Sequence, residues 1–263
     1  MRRLVLGLVA LASVMAIAAS VSAQGIGVIL MHGNTDSPDG TIAQLAAALK
    51  DAGYLVERPE MCWSGRRKRD RPLLDCLAEL EGPIARLASQ GAHSIVVAGM
   101  SQGGLGALVF GARRSGLAGI IALAPNGDPQ HVVRIFPQIA ESVARAHALV
   151  TEGRGNERAS FTDGNIRGLF AIETTPTIYL SFFDPAGPAD MLANTMQLRE
   201  PVLWVAGTQD RSQVGPTFAF DRAPANPLNR YVTVNSDHIG TPSASRETAL
   251  VWLRELESSM PSH

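Results

Sequence analysis

The sequence is poor in the residues that most metal and nucleic-acid sites require. It has two cysteines in 263 residues, and neither lies near a histidine in the chain. A structural metal site needs about four such ligands, so we expect none, and no motif calls for a cofactor. Basic residues are not in excess either, with 23 Lys and Arg against 24 Asp and Glu. Because nucleic-acid-binding domains carry a basic surplus, we expect no nucleic-acid partner.

Repeats and low-complexity segments are also lacking, which excludes solenoids and flexible arrays. The composition is 46% hydrophobic and 18% charged, as in an ordinary globular protein with one sizeable core. Short apolar runs at 26–31, 94–98, 118–124, 201–206 and 231–234 alternate with segments of helical spacing. This alternation predicts an α/β fold with a mainly parallel central sheet and helices on both faces.

The first 23 residues differ from the rest of the chain. Arg2 and Arg3 precede an uncharged apolar stretch at 4–19, and small residues follow up to Ala23. This pattern predicts a signal peptide at 1–23, cleaved to leave a domain at 24–263. An uncleaved membrane anchor is the alternative, although the stretch is short for a bilayer span of about 20 residues. We therefore expect an exported protein, periplasmic or secreted, with no stable membrane insertion after cleavage.

The most informative motif is Gly-Met-Ser-Gln-Gly at 99–103, directly after the predicted strand at 94–98. A G-x-S-x-G at the end of a strand lets the chain turn sharply, so that the serine projects from the carboxyl edge of a sheet. Ser101 is therefore the candidate nucleophile. A serine hydroxyl is weak at neutral pH, so it needs a base, an orienting acid and an oxyanion hole.

Three loops, one before this motif and two after it, offer these partners. His-Gly-Asn at 32–34 follows the first strand, Gly-Thr-Gln-Asp at 207–210 follows the fourth, and Asn-Ser-Asp-His at 235–238 follows the fifth. In these loops and in the order Ser101, Asp210, His238, the chain resembles the α/β-hydrolase family from about residue 26 to the C-terminus, except for the segment at about 126–200. The resemblance implies that His238 accepts the serine proton and that Asp210 orients the imidazole. Asp128, after the preceding strand, remains an alternative acid.

The resemblance also implies where an oxyanion hole lies. Gln102 follows the nucleophile and supplies one backbone N–H. Asn34 is expected to supply the other, with Thr35 as the alternative, and His32 is expected to brace that loop. The chain lacks the His-Gly-Gly-Gly form that many lipases and esterases carry at this place.

The segment at about 126–200 is too long for a simple crossover, and the resemblance implies that it is a helical cap insertion, because α/β hydrolases commonly carry a cap over the active site at this place. It has helical spacing at 135–150 and five aromatic residues, Phe161, Phe170, Tyr179, Phe182 and Phe183. They either wall an apolar pocket for an acyl or alcohol group or fill the core of the insertion.

Cys62 and Cys76 lie fourteen positions apart. In an exported protein such a pair predicts a disulfide bond, with two buried thiols as the alternative. Between them runs a basic cluster of Arg66, Arg67, Lys68, Arg69 and Arg71. It is either a solvated loop or a surface that attracts an anionic substrate or membrane.

Together these features predict a serine hydrolase that cleaves a small-molecule or lipid-like carboxylic ester through an acyl-enzyme. A thioesterase, a peptidase and an acyltransferase use the same residues and remain alternatives. A non-catalytic binding protein of the same fold is a further alternative, although such a protein would not need the whole set. The sequence leaves the oligomeric state open.

Overall fold

The computed structural model describes residues 25–260, so the predicted signal peptide at 1–23 lies outside the described residues. In chain order the elements are β1 (Ile26–Met31), α1 (Ala43–Asp51), β2 (Leu55–Glu57), α2 (Leu73–Ala78), α3 (Glu81–Ser89), β3 (Ser94–Met100), α4 (Gln102–Gly111), β4 (Gly119–Leu123), α5 (Pro129–Ile135), α6 (Pro137–Thr151), β5 (Ala159–Asn165), β6 (Gly168–Thr174), α7 (Pro176–Phe183), α8 (Met191–Thr195), β7 (Val202–Gly207), β8 (Arg230–Val234), α9 (Thr241–Ala244) and α10 (Arg246–Ser259).

The central sheet has six strands in the order β2-β1-β3-β4-β7-β8, and every neighbouring pair is parallel. The predicted α/β fold with a mainly parallel sheet is therefore confirmed. Strands β1, β4 and β7 are buried along their whole length. Parallel strands covered on both faces read as continuous apolar runs, which is why the sequence revealed them.

Successive side chains of the central strands enter two separate cores, one on each face of the sheet. Ile29 and Met31 pack with α2, α3, α4 and the insertion, whereas Val28 and Leu30 pack with α1 and α10. This is the two-residue alternation of a strand. All ten residues of α4 are buried, so the helix that follows the serine motif is enclosed between the sheet and the insertion.

Helical spacing at 73–87 resolves into two short helices. The residue spacing predicts a helical segment that Gly82-Pro83 either kinks or divides into two short helices. Two short helices are present, but the break lies before Gly82-Pro83, since α2 ends at Ala78 and α3 begins at Glu81. Pro83 thus lies in the first turn of α3. At that position its missing N–H removes no intrahelical hydrogen bond, so the proline is accommodated without breaking the helix.

The segment between β4 and β7 contains more than helices. It includes the predicted helix, as α6, and also an antiparallel hairpin of β5 and β6 with Phe161 opposite Ile172. The sequence did not predict the hairpin, because Asp163, Gly164 and Asn165 are residues depleted in strands. The strand β5 is therefore held by its contacts with other segments of the chain, among them its pairing with β6.

The aromatic side chains of the insertion fill a core. Phe161 stacks on Tyr179, and Tyr179 stacks on Phe183, with 4.6 Å between ring centroids in each pair. These three residues and Phe182 are buried. For these four residues the core-filling interpretation is correct, while Phe170 is partly buried at the edge of the same core.

The predicted disulfide bond between Cys62 and Cys76 is present, and both residues are fully buried. Cross-linking a loop of about 15 residues stabilises a fold by about 3 kcal/mol in the chain-entropy account. We therefore expect urea unfolding under reducing conditions to show a loss of that size. A double Cys62→Ala, Cys76→Ala variant serves as the control, because reductant should leave its stability unchanged. Equal stability of the oxidised and reduced wild type would contradict the prediction.

None of the helices within residues 25–260 combines the length and the apolar character needed to cross a bilayer.

Candidate active site

The turn between β3 and α4 places Ser101 at the carboxyl edge of the sheet. Its backbone has φ 56° and ψ −118°, a region that costs an L-residue energy and that is found mostly at functional sites. The two motif glycines make this turn possible. A Cβ on Gly103 would lie 2.5 Å from the carbonyl oxygen of Met31, and one on Gly99 would overlap the carbonyl of Gly103. The motif therefore builds a sharp elbow with Ser101 at its tip.

The structure brings Ser101, His238 and Asp210 into one line of hydrogen bonds. His238 Nε2 lies 2.9 Å from Ser101 Oγ, and His238 Nδ1 lies 2.6 Å from Asp210 Oδ2. An ionised carboxylate only accepts hydrogen bonds, so Nδ1 carries the ring proton and Nε2 is left to accept from the serine. The side chains of His238 and Asp210 are 7% and 1% exposed, so water competes little with either bond.

Asp210 is held by more groups than the sequence indicated. Its carboxylate accepts from the Ser212 amide at 2.9 Å, the Ser212 hydroxyl at 2.6 Å and the Gln213 side chain at 3.0 Å. Burial raises the pKa of Asp210, but the bonds from His238 and Ser212 outweigh it and lower the pKa to about 2. The acid is therefore ionised at neutral pH. Ser212 has no sequence signal beyond its position two residues after Asp210.

This pKa shift makes a prediction about stability and pH. A carboxyl group whose pKa is lower in the folded chain stabilises the fold above its ordinary pKa, here 3.8, and loses that contribution as the pH falls through about 2. We expect wild type to exceed Asp210→Asn in resistance to urea at neutral pH, with the advantage shrinking only below about pH 4. Unfolding curves of both proteins from neutral pH to about pH 2 measure it. An advantage that stays the same from neutral pH to about pH 2 would show that the folded-state pKa is not lowered, because an unshifted carboxyl group makes no pH-dependent contribution.

The alternative acid, Asp128, is occupied by backbone groups. Its carboxylate caps α5 by accepting from the His131 amide at 2.9 Å, and it also accepts from the Met191 amide at 2.9 Å. Burial is the main reason that its pKa is raised. These bonds tie the start of α5 to the start of α8, which is a structural role.

The geometry also separates the two candidates for the second oxyanion donor. The Thr35 amide donates to the Trp63 carbonyl at 2.9 Å, so it is already used. No hydrogen bond within residues 25–260 uses the amide of Asn34 or of Gln102. Gly33 lies against the nucleophile, since a Cβ there would be 3.4 Å from Ser101 Cβ. The amides of Asn34 and Gln102 are therefore the candidate donors that no other group in residues 25–260 occupies.

His32 braces this loop, as the sequence indicated. Its Nε2 accepts from the Met61 amide at 3.1 Å and its Nδ1 donates to the Gly33 carbonyl at 2.8 Å. Trp63 Nε1 donates to the His32 carbonyl at 2.9 Å. Burial lowers the pKa of His32, in keeping with a neutral ring that accepts a hydrogen bond. The segment around Cys62 thus fixes the loop that carries Asn34.

The basic cluster at 66–71 is largely neutralised. Three of its arginines form ion pairs with nearby carboxylates: Arg66 with Glu60, Arg67 with Asp70 and Glu79, and Arg71 with Glu79. The charges of these arginines are already paired, so these residues do not support the interpretation of the cluster as a surface that attracts an anionic substrate. The other interpretation, a solvated loop, is wrong for Arg69, because this residue is buried.

No group of three or more His, Cys, Asp or Glu side chains in residues 25–260 is arranged to hold a metal ion.

An elbow serine after β3 at the carboxyl edge of a parallel sheet, with an aspartate after β7 and a histidine after β8, is the arrangement that defines the class of α/β hydrolases. The profile of the Alpha/beta hydrolase family matches residues 28–251. The chain belongs to this family. No curated protein matches the sequence.

Solved structures share the fold at low sequence identity. A structure described as LipS and LipT, two metagenome-derived lipolytic enzymes, is 17% identical with a TM-score of 0.63, covering 88% of this chain and 94% of that one. Est1E from Butyrivibrio proteoclasticus with ferulic acid bound is 18% identical with a TM-score of 0.61, covering 90% and 92%. A proline iminopeptidase of Mycobacterium smegmatis is 16% identical with a TM-score of 0.54, covering 89% and 90%. Likeness at this level shows a common fold.

Proposed function

We propose that this protein is a serine hydrolase that cleaves carboxylic esters. The observation that carries the proposal is the unbroken hydrogen-bond line from Ser101 Oγ through His238 to Asp210, with bonds of 2.9 and 2.6 Å. Nucleophile and base within hydrogen-bond reach, with the base oriented by a third group, are the requirements of nucleophilic acyl transfer. A protein that only binds its ligand has no need of such an alignment.

In the first half-reaction Ser101 Oγ attacks the ester carbonyl while His238 Nε2 accepts the serine proton. The carbonyl oxygen becomes an oxyanion that accepts from the amides of Gln102 and Asn34. Collapse of the tetrahedral intermediate breaks the bond to the alcohol oxygen, and His238 returns the proton to that oxygen. The products are the free alcohol and an ester of Ser101.

In the second half-reaction water takes the place of the alcohol. His238 accepts a proton from water as the water oxygen attacks the acyl-enzyme, and the same amides hold the second oxyanion. The intermediate then releases the acid and Ser101 recovers its proton from His238. Asp210, ionised throughout, stabilises the imidazolium in both halves.

The solved structures that share the fold favour an ester as the substrate of this protein over an amide or a thioester. One is described as lipolytic and another as Est1E with ferulic acid bound, whereas the iminopeptidase shows that the same scaffold also serves peptides. The assay must therefore distinguish ester hydrolysis from the hydrolysis of amides or thioesters and from transfer of the acyl group to an alcohol.

The insertion at about 126–200 is proposed to act as a cap on this site. Its hairpin reaches the oxyanion loop, since Asn34 Nδ2 donates to the carbonyl of Gly164 at 3.0 Å and Asn165 Nδ2 donates to Thr35 Oγ1 at 3.0 Å. A segment so close to the nucleophile is in a position to shape the pocket for the substrate.

We also propose that the protein is exported to the periplasm or the medium. The buried disulfide between Cys62 and Cys76 supports this, because such bonds persist in oxidising compartments. Cell fractionation and N-terminal sequencing test the proposal. A processed chain outside the cytoplasm that begins at residue 24 is expected, and a full-length chain in the cytoplasm would contradict it.

The test of the activity uses residues 24–263 and a series of p-nitrophenyl esters of increasing acyl length. Turnover that needs Ser101 would support an esterase, and the preferred acyl length would measure the pocket. A folded protein that is silent on every ester but cleaves amide or thioester analogues would move the proposal to a peptidase or thioesterase. Product formed only when an alcohol is added would indicate acyl transfer.

A further inference from the structure

A buried ion pair joins Arg69 and Asp163, which lie 94 positions apart in the chain. Arg69 Nε donates to Asp163 Oδ2 at 2.7 Å and Arg69 Nη2 donates to Asp163 Oδ1 at 3.2 Å. Both side chains are 2% exposed. The guanidinium also lies over the rings of Phe182 and Phe183, 4.3 and 4.9 Å from their centroids. A two-bond pair between a planar guanidinium and a carboxylate fixes direction as well as distance.

This pair contacts the side chains of Asn34 and Gln102, the two residues whose amides are the candidate oxyanion donors. Asn34 Nδ2 donates to Asp163 Oδ1 at 3.1 Å. On the other side, Arg69 Nη2 lies 3.4 Å from Gln102 Oε1, to which it donates. One rigid unit therefore connects Asn34, at the end of β1, with Gln102, at the start of α4.

The pair is itself anchored at both ends. The backbone of Arg69 donates to the Cys62 carbonyl at 2.6 Å, inside the disulfide loop, and its carbonyl accepts from Thr174 Oγ1 at 2.9 Å. Asp163 belongs to β5, which pairs with β6. The disulfide loop and the insertion hairpin thus meet at Arg69 and Asp163.

We propose that Arg69 and Asp163 are positioning residues that set the spacing of the two oxyanion amides. The inference rests on the proposed acyl-transfer function. An oxyanion hole works because its donors are fixed before the charge develops, and small displacements of such groups are costly. A buried ion pair is weak evidence for stability, so its contacts with Asn34 and Gln102 are the better account of its place here.

The test compares Asp163→Asn and Arg69→Lys with wild type and with Arg67→Lys. Arg67 is the matched control, because it lies in the same loop but pairs with Asp70 and Glu79 at the surface. For each protein, kcat and KM are measured on a p-nitrophenyl ester, with the inhibition constant of an alkyl boronic acid, which forms a tetrahedral adduct on the serine.

Positioning predicts that kcat falls by about 10- to 100-fold in both variants, somewhat less than the loss of a whole oxyanion donor. KM should change little, because the oxyanion forms only in the transition state. The boronic acid should bind more weakly by the same factor as kcat/KM falls, and the Arg67→Lys control should match wild type. A thermal shift with unchanged kcat and boronate binding would overturn the proposal and leave the pair a merely structural contact.

Two further measurements keep the outcome decisive. If the ion-pair variants do not fold, Asn34→Ala removes the tether to Asp163 while keeping the pair and the backbone amide, and it should show the same loss in kcat. If wild type cleaves no ester, the rate at which a fluorophosphonate labels Ser101 replaces kcat, because its phosphoryl oxygen needs the same amides. Slower labelling in the variants supports the positioning role even though the ester proposal has failed, and equal labelling contradicts it.

Discussion

Replacement of Ser101 by alanine is expected to abolish ester turnover, with a fall in kcat of about 10⁶-fold, the size seen when a catalytic serine is removed from a triad. The change deletes the atom that forms the acyl-enzyme, while His238, Asp210 and the oxyanion amides stay in place. The fold should persist, since the substitution removes the hydrogen bond between the Ser101 hydroxyl and His238 Nε2, at 2.9 Å, and leaves the backbone of the turn in place. Hydrolysis of a p-nitrophenyl ester and thermal unfolding of the same sample measure both parts.

Ser89→Ala is the matched control for this prediction. Ser89 is exposed at the end of α3 and bonds the Arg86 carbonyl, so its loss removes a hydroxyl without touching the site. Its kcat should equal that of wild type. Turnover by a cleanly purified Ser101→Ala protein within tenfold of wild type would mean that another residue is the nucleophile.

Replacement of Asp210 by asparagine is expected to lower kcat by about 10⁴-fold. The asparagine amide would donate to Nδ1, so the ring proton would move to Nε2 and His238 could no longer accept from Ser101. Activity is lost because the ring proton of His238 is on the wrong nitrogen, while the geometry of the site is kept. Measured on the same ester, KM should change little.

Asp128→Asn is the comparison that distinguishes the two acids. One asparagine oxygen cannot replace both carboxylate oxygens that accept from His131 and Met191, so this variant should lose about 1–3 kcal/mol of stability. Its kcat should remain that of wild type at temperatures where it is folded. A larger loss of kcat in Asp128→Asn than in Asp210→Asn would move the acid to the loop after β4.

The parts of this molecule that could be predicted from the sequence are those in which neighbouring residues determine the geometry. The central strands were found because burial on both faces makes them uninterrupted apolar runs. The elbow was found because Gly99 and Gly103 are required by close backbone approach. The loops carrying Asp210 and His238 were found because each directly follows a strand of the parallel sheet, and such loops meet at one edge.

The parts that could not be predicted depend on contacts between distant segments. Asp163 sits at the start of three residues, Asp163 to Asn165, that are depleted in strands, and it is paired with Arg69, 94 positions away. Within the basic cluster nothing local distinguishes buried Arg69 from its paired, more exposed neighbours. The choice of Asn34 over Thr35 likewise depends on Trp63, whose carbonyl takes the Thr35 amide.

The central claim, an acyl-enzyme on Ser101, is tested most directly by mass spectrometry of the protein quenched in acid during turnover of a p-nitrophenyl ester. Intact mass should rise by the mass of one acyl group, and peptide mapping should place that group on Ser101, with no adduct on Ser101→Ala. An adduct on any other residue, or an adduct of the same yield on Ser101→Ala, would contradict the account.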